Sequence, residues 1–455
     1  MSLAADSPLS SSSDDFAAIL DAELASTSSE ESPELGEDAL DAADAVDDDD
    51  DVEQDRFKRR KIAELEAFVE PKQSLLELKK QDTLKASVTK EMCSHPGIFG
   101  GMCMKCGKVI DDESGVPFRY IHKELRLANE EIARLRVKDL TTLLRERKLR
   151  LVLDLDHTLL NSTRLMDISS GEEHLKQGDL RLGLHRLENM HMLTKLRPFV
   201  HTFLKEASEL FELYVYTMAE HSYAKEIAKL LDPVGMYFGD SRVISQSDCT
   251  QRHQKGLDVV LGAENAMVIL DDTEMVWQKH KENLILMDRY HYFASSFRQF
   301  GLVGPSLSEL KQDESEADGA LATVLKVLKK VHQMFFDPDQ DTDIASRDVR
   351  LALKSIRGEI LKGCTLVFSH VFPTEFPAES HPVWKMAEQM GAVCCTEVDP
   401  SVTHVVSLHP GTEKARWAVQ NGKFLVHRRW VEAANYLWKR QPEEEFVVVH
   451  PSKNQ

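Results

Sequence analysis

From residue 149 onward the chain alternates short, wholly apolar runs with amphipathic ones, and this alternation restricts the fold more than any other feature. Leu151-Val152-Leu153 is one such run and stops at Asp154. RPFVHTFLKEASEL and AEHSYAKEIAKLLD have helical spacing, with the strand-like FELYVYT between them. Residues 266–270 and 284–287 are two further apolar runs. Strands that are apolar on both faces are buried on both faces, as in parallel sheets, and parallel neighbours need right-handed crossovers. The expected domain, over residues 148–305, is therefore a doubly wound α/β fold with a parallel sheet. Ligands of such sheets sit at the carboxyl ends of the strands. A charged, poorly periodic stretch, 161–193, interrupts the pattern and reads as an insertion or a flexible loop.

The rest of the chain divides by segment. Residues 306–320 (SLSELKQDESEADGA) read as a polar linker, followed by helices at about 321–336 and 347–356, so that 306–357 forms a linker with helices. Residues 358–450 carry a second, smaller α/β pattern. There CTLVF is a strand, HPVWKMAEQMG a helix closed by Gly391, and THVVSL a strand. EKARWAVQNG is a helix, FLV a short strand and RRWVEAANYLW a last helix. Upstream, 61–147 reads as a helical region, with Ile62, Leu65 and Phe68 in phase, and over 118–147 Ile132, Leu135, Leu140, Leu143 and Leu144 on one face. The Gly-rich CSHPGIFGGMCMKCGK separates the two helical stretches.

Charge is divided too. The formal net charge is −20, but residues 1–55 hold 19 Asp or Glu and no base, leaving 57 of the 76 acids against all 56 bases in the body. Residues 1–60 are expected to be a disordered acidic tail ending in a basic cluster, Arg56-Phe57-Lys58-Arg59-Arg60-Lys61, which reads as a nuclear localisation patch. A near-neutral body offers no broad basic surface, so no direct nucleic-acid binding is expected. No apolar run approaches the roughly 18 residues of a membrane helix, and no membrane partner is expected. The first residues lack the basic and apolar regions of a secretory signal. Seven Cys, three of them beside a His, suggest metal binding in a reducing compartment.

The strongest chemical signal is Asp154-Leu155-Asp156-His157-Thr158 at a strand end. Two carboxylates so close need cations or hydrogen bonds. Thr217 ends a strand, Lys255 sits in RHQKGLD, and Asp271-Asp272 ends another strand. All would meet the same sheet edge. A hydroxyl, a lysine and two pairs of carboxylates make a site for phosphate with a divalent metal, and an all-oxygen ligand set suits Mg²⁺.

DLDHTLL, YVYT, the Lys-bearing segment and LDDT, in that order, resemble the haloacid-dehalogenase superfamily. More closely, the chain resembles the phosphatases that act on the C-terminal domain of RNA polymerase II. CSHPGIFGGMCMKCG, VPFRYIHKELRL and the BRCT-like segment 358–450 resemble the plant type of these proteins. The resemblance runs from about residue 90 to 448. It implies that Asp154 is the nucleophile and forms an aspartyl-phosphate. Asp156 would be general acid and then base, and Thr158 would orient the loop. Thr217 and Lys255 would hold phosphate oxygens. Asp154, Asp272 and the backbone carbonyl of Asp156 would hold Mg²⁺, with Asp271 adjacent. Four Asp and a phosphate dianion total about −6, so the dianion needs the metal, Lys255 and a protonated Asp156 beside it. One departure stands out: Gln246 occupies the place where related phosphatases carry an Arg, and Arg252 is at a different spacing.

Cys93, His95, Cys103 and Cys106 form a candidate structural Zn²⁺ site, because residues i and i+2 of an extended chain share a side and CxxCG is a compact knuckle. The alternative is reduced cysteines with a surface His. In the BRCT-like segment, Trp430 and Gly391 are core markers. The resemblance assigns Ser369, Thr412 and Lys414 to a phosphopeptide pocket, aided by helix N-terminal amides. The alternative is that Thr412 is an N-cap and Lys414 a solvated charge.

The expectation is thus a nuclear, Mg²⁺-dependent protein serine phosphatase that regulates transcription. Its partner is the phosphorylated C-terminal domain of RNA polymerase II, with other transcription proteins as further candidates. The rivals are a catalytically weak BRCT scaffold, favoured by Gln246 and disfavoured by the intact Asp154 and Asp156, and a small-molecule phosphatase of the same superfamily.

Overall fold

A computed structural model describes residues 93–448, apart from 111–113, 340–342 and 374–376. The acidic tail, the basic cluster and the helix expected near 61–85 lie outside the described residues.

The described chain opens with a small antiparallel sheet. Its strands are β1 (Gly97–Phe99), β2 (Met102–Cys103), β3 (Val116–Pro117) and β4 (Leu125–Leu127), in the order β2-β1-β4-β3. Helix α1 (Asn129–Glu146) follows. The periodicity predicts this helix from residue 118, but it starts eleven residues later. Gly97 pairs with Leu127 across the sheet, and the Phe118 amide donates to the Leu125 carbonyl at 2.9 Å. A ladder to a strand 30 residues away outweighs local helix preference, which is weak.

The main sheet is built from β5 (Leu149–Leu153), then, after an insertion, β9 (Phe211–Tyr216), β10 (Val243–Ile244), β11 (Met267–Asp271) and β12 (Leu284–Leu286). The insertion carries β6 (Leu160–Arg164), β7 (Leu184–Leu187) and β8 (Met192–Leu196). The main sheet runs β10-β9-β5-β11-β12, and every pairing is parallel. Side chains of β5 alternate between two cores. Leu149, Leu151 and Leu153 face α2 (Val200–Leu210), α3 (His221–Leu231) and α4 (Ala320–Phe335). Val152 faces the other way, onto Phe118, Leu125, Leu127 and Ile132 of the N-terminal sheet and α1. The α/β expectation holds, and one cover of the sheet is the Cys-bearing module.

Two stretches refine the sequence reading, and of its two alternatives for 161–193 the insertion is the one that holds. Residues 161–193 are no loose loop but a three-stranded antiparallel sheet, β6-β8-β7. Its polar side chains are used inside: Ser162 bonds Thr194 at 2.8 Å. Residues 306–320 are mostly exposed, as a polar linker would be, but are anchored at three points. Asp313 pairs with Lys195 at 2.5 Å, Glu314 with the fully buried Arg197 at 2.7 Å, and the Ser308 hydroxyl donates to Glu172. These three contacts tie an otherwise solvated stretch to the insertion and to Arg197 just after it.

After α5 (Val349–Arg357), the C-terminal unit contains β13 (Thr365–Ser369), α6 (Pro382–Gln389), β14 (Val393–Cys395), β15 (His404–Ser407), α7 (Glu413–Gln420), β16 (Phe424–Val426) and α8 (Arg429–Tyr436). Its parallel sheet runs β14-β13-β15-β16. Trp430 is fully buried at its centre. Gly391 has φ 89° after α6, where a Cβ would overlap the Gly358 carbonyl oxygen, so only glycine fits.

Candidate active site

Strand β5 lies where the strand order reverses, with β9 on one side and β11 on the other. That is the place where open α/β sheets bind ligands. Asp154 follows β5 directly, and its amide donates to the Leu270 carbonyl at 3.0 Å. Residues 155–160 then form a tight loop in which His157 takes φ 64°. The amides of Leu159 and Leu160 both donate to the Leu155 carbonyl. Such a loop turns Asp154 and Asp156 toward one cleft.

Neighbouring strands deliver the remaining groups. Thr217 follows β9, Asp271 ends β11, and Lys255 comes from the loop after β10. The Lys255 ammonium donates to Asp154 Oδ1 and Asp271 Oδ2, both at 2.6 Å. Asp271 also accepts from Trp277 Nε1 at 2.8 Å and the Thr273 amide at 2.8 Å. Thr158 is fully buried and donates to Asp272 Oδ1 at 3.3 Å. The Thr217 hydroxyl accepts from the Ala219 amide at 3.0 Å.

Asp154, Asp271 and Asp272 each place a carboxylate oxygen within 4.8 Å of the others. Burial and mutual repulsion, against the pull of Lys255, hold Asp154 and Asp271 above the usual carboxylate range. Carboxylates so crowded fit a divalent cation. Asp156 stands apart from this cluster. Its Oδ1 accepts from the Tyr223 hydroxyl at 2.6 Å, and burial outweighs that bond and raises the carboxyl to about 6.

Sequence reasoning missed several of these partners. Arg289 lines the cleft and pairs with Asp272 at 2.6 Å. Burial pushes Asp272 up, but the charge of Arg289 and His157 more than offsets it and holds the carboxyl below its usual range. Arg164 lines the cleft as well, from the insertion sheet. The expected Arg is thus absent at Gln246, and the cations of the cleft come from elements distant in sequence. Tyr223, Trp277 and Arg197 were also missed. Arg197 donates to the Thr158 carbonyl at 3.0 Å and so pins the loop. A Tyr at a buried helix position and an Arg before a Pro carry no sequence signal of their own.

The Cys/His set converges: Cys93 Sγ lies 3.8 Å from Cys103 Sγ, and Cys106 Sγ 3.5 Å from His95 Nδ1. In the C-terminal unit, Ser369 and Thr412 are brought together, with their hydroxyls 2.8 Å apart. Thr412 also caps α7, accepting from the Ala415 amide at 3.2 Å. Lys414 is partnered elsewhere: it donates to the Thr396 carbonyl and stands 4.0 Å from Glu397.

The chain is similar to known proteins over nearly all of its length. Residues 149–334 match the NLI interacting factor-like phosphatase family, and residues 371–430 match the twin BRCT domain family. The chain is 58% identical to Arabidopsis thaliana RNA polymerase II C-terminal domain phosphatase-like 4, over 98% of this chain and 97% of that one. It is 44% identical to Arabidopsis phosphatase-like 3, over 69% of this chain and 26% of that longer protein. A structure of the fission yeast RNA polymerase II CTD phosphatase Fcp1 bound to beryllium fluoride superposes on 69% of this chain and all of that one, with TM-score 0.54 and 26% identity. The haloacid-dehalogenase-like fold, the phosphatase match and a near full-length relative lead to one conclusion: the chain belongs to the RNA polymerase II C-terminal domain phosphatase-like family.

Proposed function

We propose that the protein removes phosphate from serine in the heptad-repeat C-terminal domain of RNA polymerase II, in the nucleus, and thereby regulates transcription. The relatives' substrate supports this, and one observation carries the chemistry: two carboxylates of opposite character share one cleft. Asp154 lies against Lys255, while Asp156 is half-buried and held by Tyr223. The first suits a nucleophile and the second a proton carrier near neutral pH.

Asp154 and Asp272 would hold Mg²⁺. Asp271, whose oxygens already serve Lys255, Trp277 and Thr273, would orient Lys255. When bound, the metal neutralises phosphate charge and polarises a phosphoryl oxygen. An Asp154 oxygen attacks phosphorus and the P–O bond to serine breaks. Asp156 gives its proton to the departing serine oxygen. It then takes a proton from water, whose oxygen attacks the aspartyl-phosphate and frees Asp154. Lys255 and Thr217 hold phosphate oxygens through both displacements. Ser369 and Thr412 would dock a second phosphorylated segment.

The test is phosphate release from phosphoserine heptad peptides, with and without Mg²⁺, beside a small phosphate monoester. Release from the peptides that depends on Mg²⁺ supports the reading. No release from any peptide, or equal turnover of the small monoester, overturns it.

A further inference from the structure

The Cys-bearing module has no part in the chemistry just described, yet its four metal-binding side chains meet at one point. We propose that Cys93, His95, Cys103 and Cys106 bind one zinc ion that holds the N-terminal sheet closed against the back face of the catalytic sheet. The inference stands independently of the phosphatase reading, because no residue is shared between the two sites.

Spacing carries the argument. All four ligand atoms lie within 4.8 Å of one another. A tetrahedral ion with Zn–S of about 2.3 Å and Zn–N of about 2.0 Å separates two sulfurs by roughly 3.8 Å, and a sulfur from a nitrogen by roughly 3.5 Å. The observed separations are 3.8 Å for Cys93–Cys103 and 3.5 Å for Cys106–His95. The first is far too long for a disulfide, whose sulfurs sit about 2.05 Å apart. The backbone is shaped for the same end. His95 takes φ 49° and Gly107 φ 68°, and the Lys105 amide points at Cys103 Sγ from 3.4 Å. Amide donation to a ligating sulfur is the kind of outer support that metal knuckles use. Thiolates and imidazole select zinc over Mg²⁺. Four protein ligands leave no open position, so the ion is structural.

The fold gives the ion its purpose. β1 and β2 have three and two residues, too few to persist as an isolated hairpin. Yet this sheet presents Leu125 and Leu127, with Phe118 beside them, to Val152, Tyr216 and Trp277 of the catalytic unit. Trp277 in turn donates to Asp271. Zinc at the outer end would fix a cover whose inner side packs behind the active site.

The experiment is elemental analysis of the full-length protein purified without added metal, followed by exchange into Co²⁺. We expect about one zinc per chain and a thiolate-to-cobalt charge-transfer band. The exposed Cys106, changed Cys106→Ser, should lose most of the zinc, whereas Asp154→Asn should keep it. Zinc removal should lower thermal stability more than it lowers the activity of still-folded protein. Folded wild-type protein with less than about 0.2 zinc per chain, or a cobalt spectrum without thiolate bands, overturns the site. Undiminished zinc in Cys106→Ser overturns the ligand assignment. The wild-type measurements decide the question even where a variant fails to fold.

Discussion

Asp154 and Asp156 differ by two positions and by everything that surrounds them. Asp154→Asn removes the proposed attacking oxygen and leaves an amide of the same shape. Turnover should fall by roughly three orders of magnitude or more, with the melting temperature close to wild type. Activity within threefold of wild type would sink the assignment. Asp156→Asn should accumulate phosphoenzyme, visible by acid quench, since hydrolysis of that intermediate needs the base. Tyr223 is a positioning residue. Its hydroxyl stabilises the ionised form of Asp156, so Tyr223→Phe should move that carboxyl further above 6. The limb of the rate profile that Asp156 sets, at high pH where formation of the phosphoenzyme limits and at low pH where its hydrolysis does, should then shift to higher pH, with kcat down roughly tenfold, the scale of one hydrogen bond to a charged group, and KM unchanged. An unshifted profile would mean that the contact only packs the helix.

Among elements, the anchor of segment 306–320 on Arg197 has the most to lose. Arg197 is buried and joins three things: the Thr158 carbonyl of the active-site loop, the Asp288 carbonyl after β12, and the Glu314 carboxylate. Removing one partner of a buried charged pair strands the other. Arg197→Ala should therefore cost about 3–5 kcal/mol in chemical denaturation. A loss below about 1 kcal/mol would place Glu314 in solvent instead. In the C-terminal unit, the hydroxyl pair Ser369–Thr412 sits at a strand end and a helix start, while Lys414 is engaged with Thr396 and Glu397. Titrating phosphorylated heptads against the full chain carrying Asp154→Asn should show Ser369→Ala weakening binding more than Lys414→Ala. Equal affinity for phosphorylated and unphosphorylated peptide would reduce Thr412 to its capping role.

At the scale of the whole molecule, the two cores touch. Trp438, just past α8, belongs to the cluster built on β5, α2 and α4. Ile360 packs against both that cluster and the one around Trp430. The Arg357 guanidinium lies 5.9 Å above the Trp438 ring and bonds to Asn435 of α8. Burial, with the charge of Asp288, holds the Tyr436 phenol above its usual range. The C-terminal unit is therefore a wall of the catalytic unit and not a free appendage. Trp438→Ala should destabilise the full chain by roughly 3 kcal/mol, the scale of a large aromatic lost from a core. Calorimetry should show a single transition in the wild type. Two well-separated transitions, with the catalytic one unmoved by the substitution, would show that the contact carries no stability.

What local pattern decides, the sequence determined. Short unbroken apolar runs and amphipathic runs at period 3.6 mark β5, β9, β11, α2 and α3 without reference to any neighbour. A carboxylate at the end of a buried strand has few reasons to be there, so the order of residues alone marks Asp154, Asp271 and Asp272 as chemistry. The Cys93/His95 and Cys103/Cys106 pairs stand out because the residues of each pair lie so close in sequence. Pairings between distant segments were settled only by the tertiary structure. Residues 118–128 had a helical rhythm, but Phe118 and Leu127 found strand partners. Residues 161–193 and 306–320 look like solvated loops because their charges are countable and their partners are not: Arg197 and Glu314 are 117 residues apart. Tyr223 and Arg289 are invisible as site residues for the same reason. A long polar side chain acquires a role only from the group it meets, and that meeting is set by how the strands order themselves in the sheet.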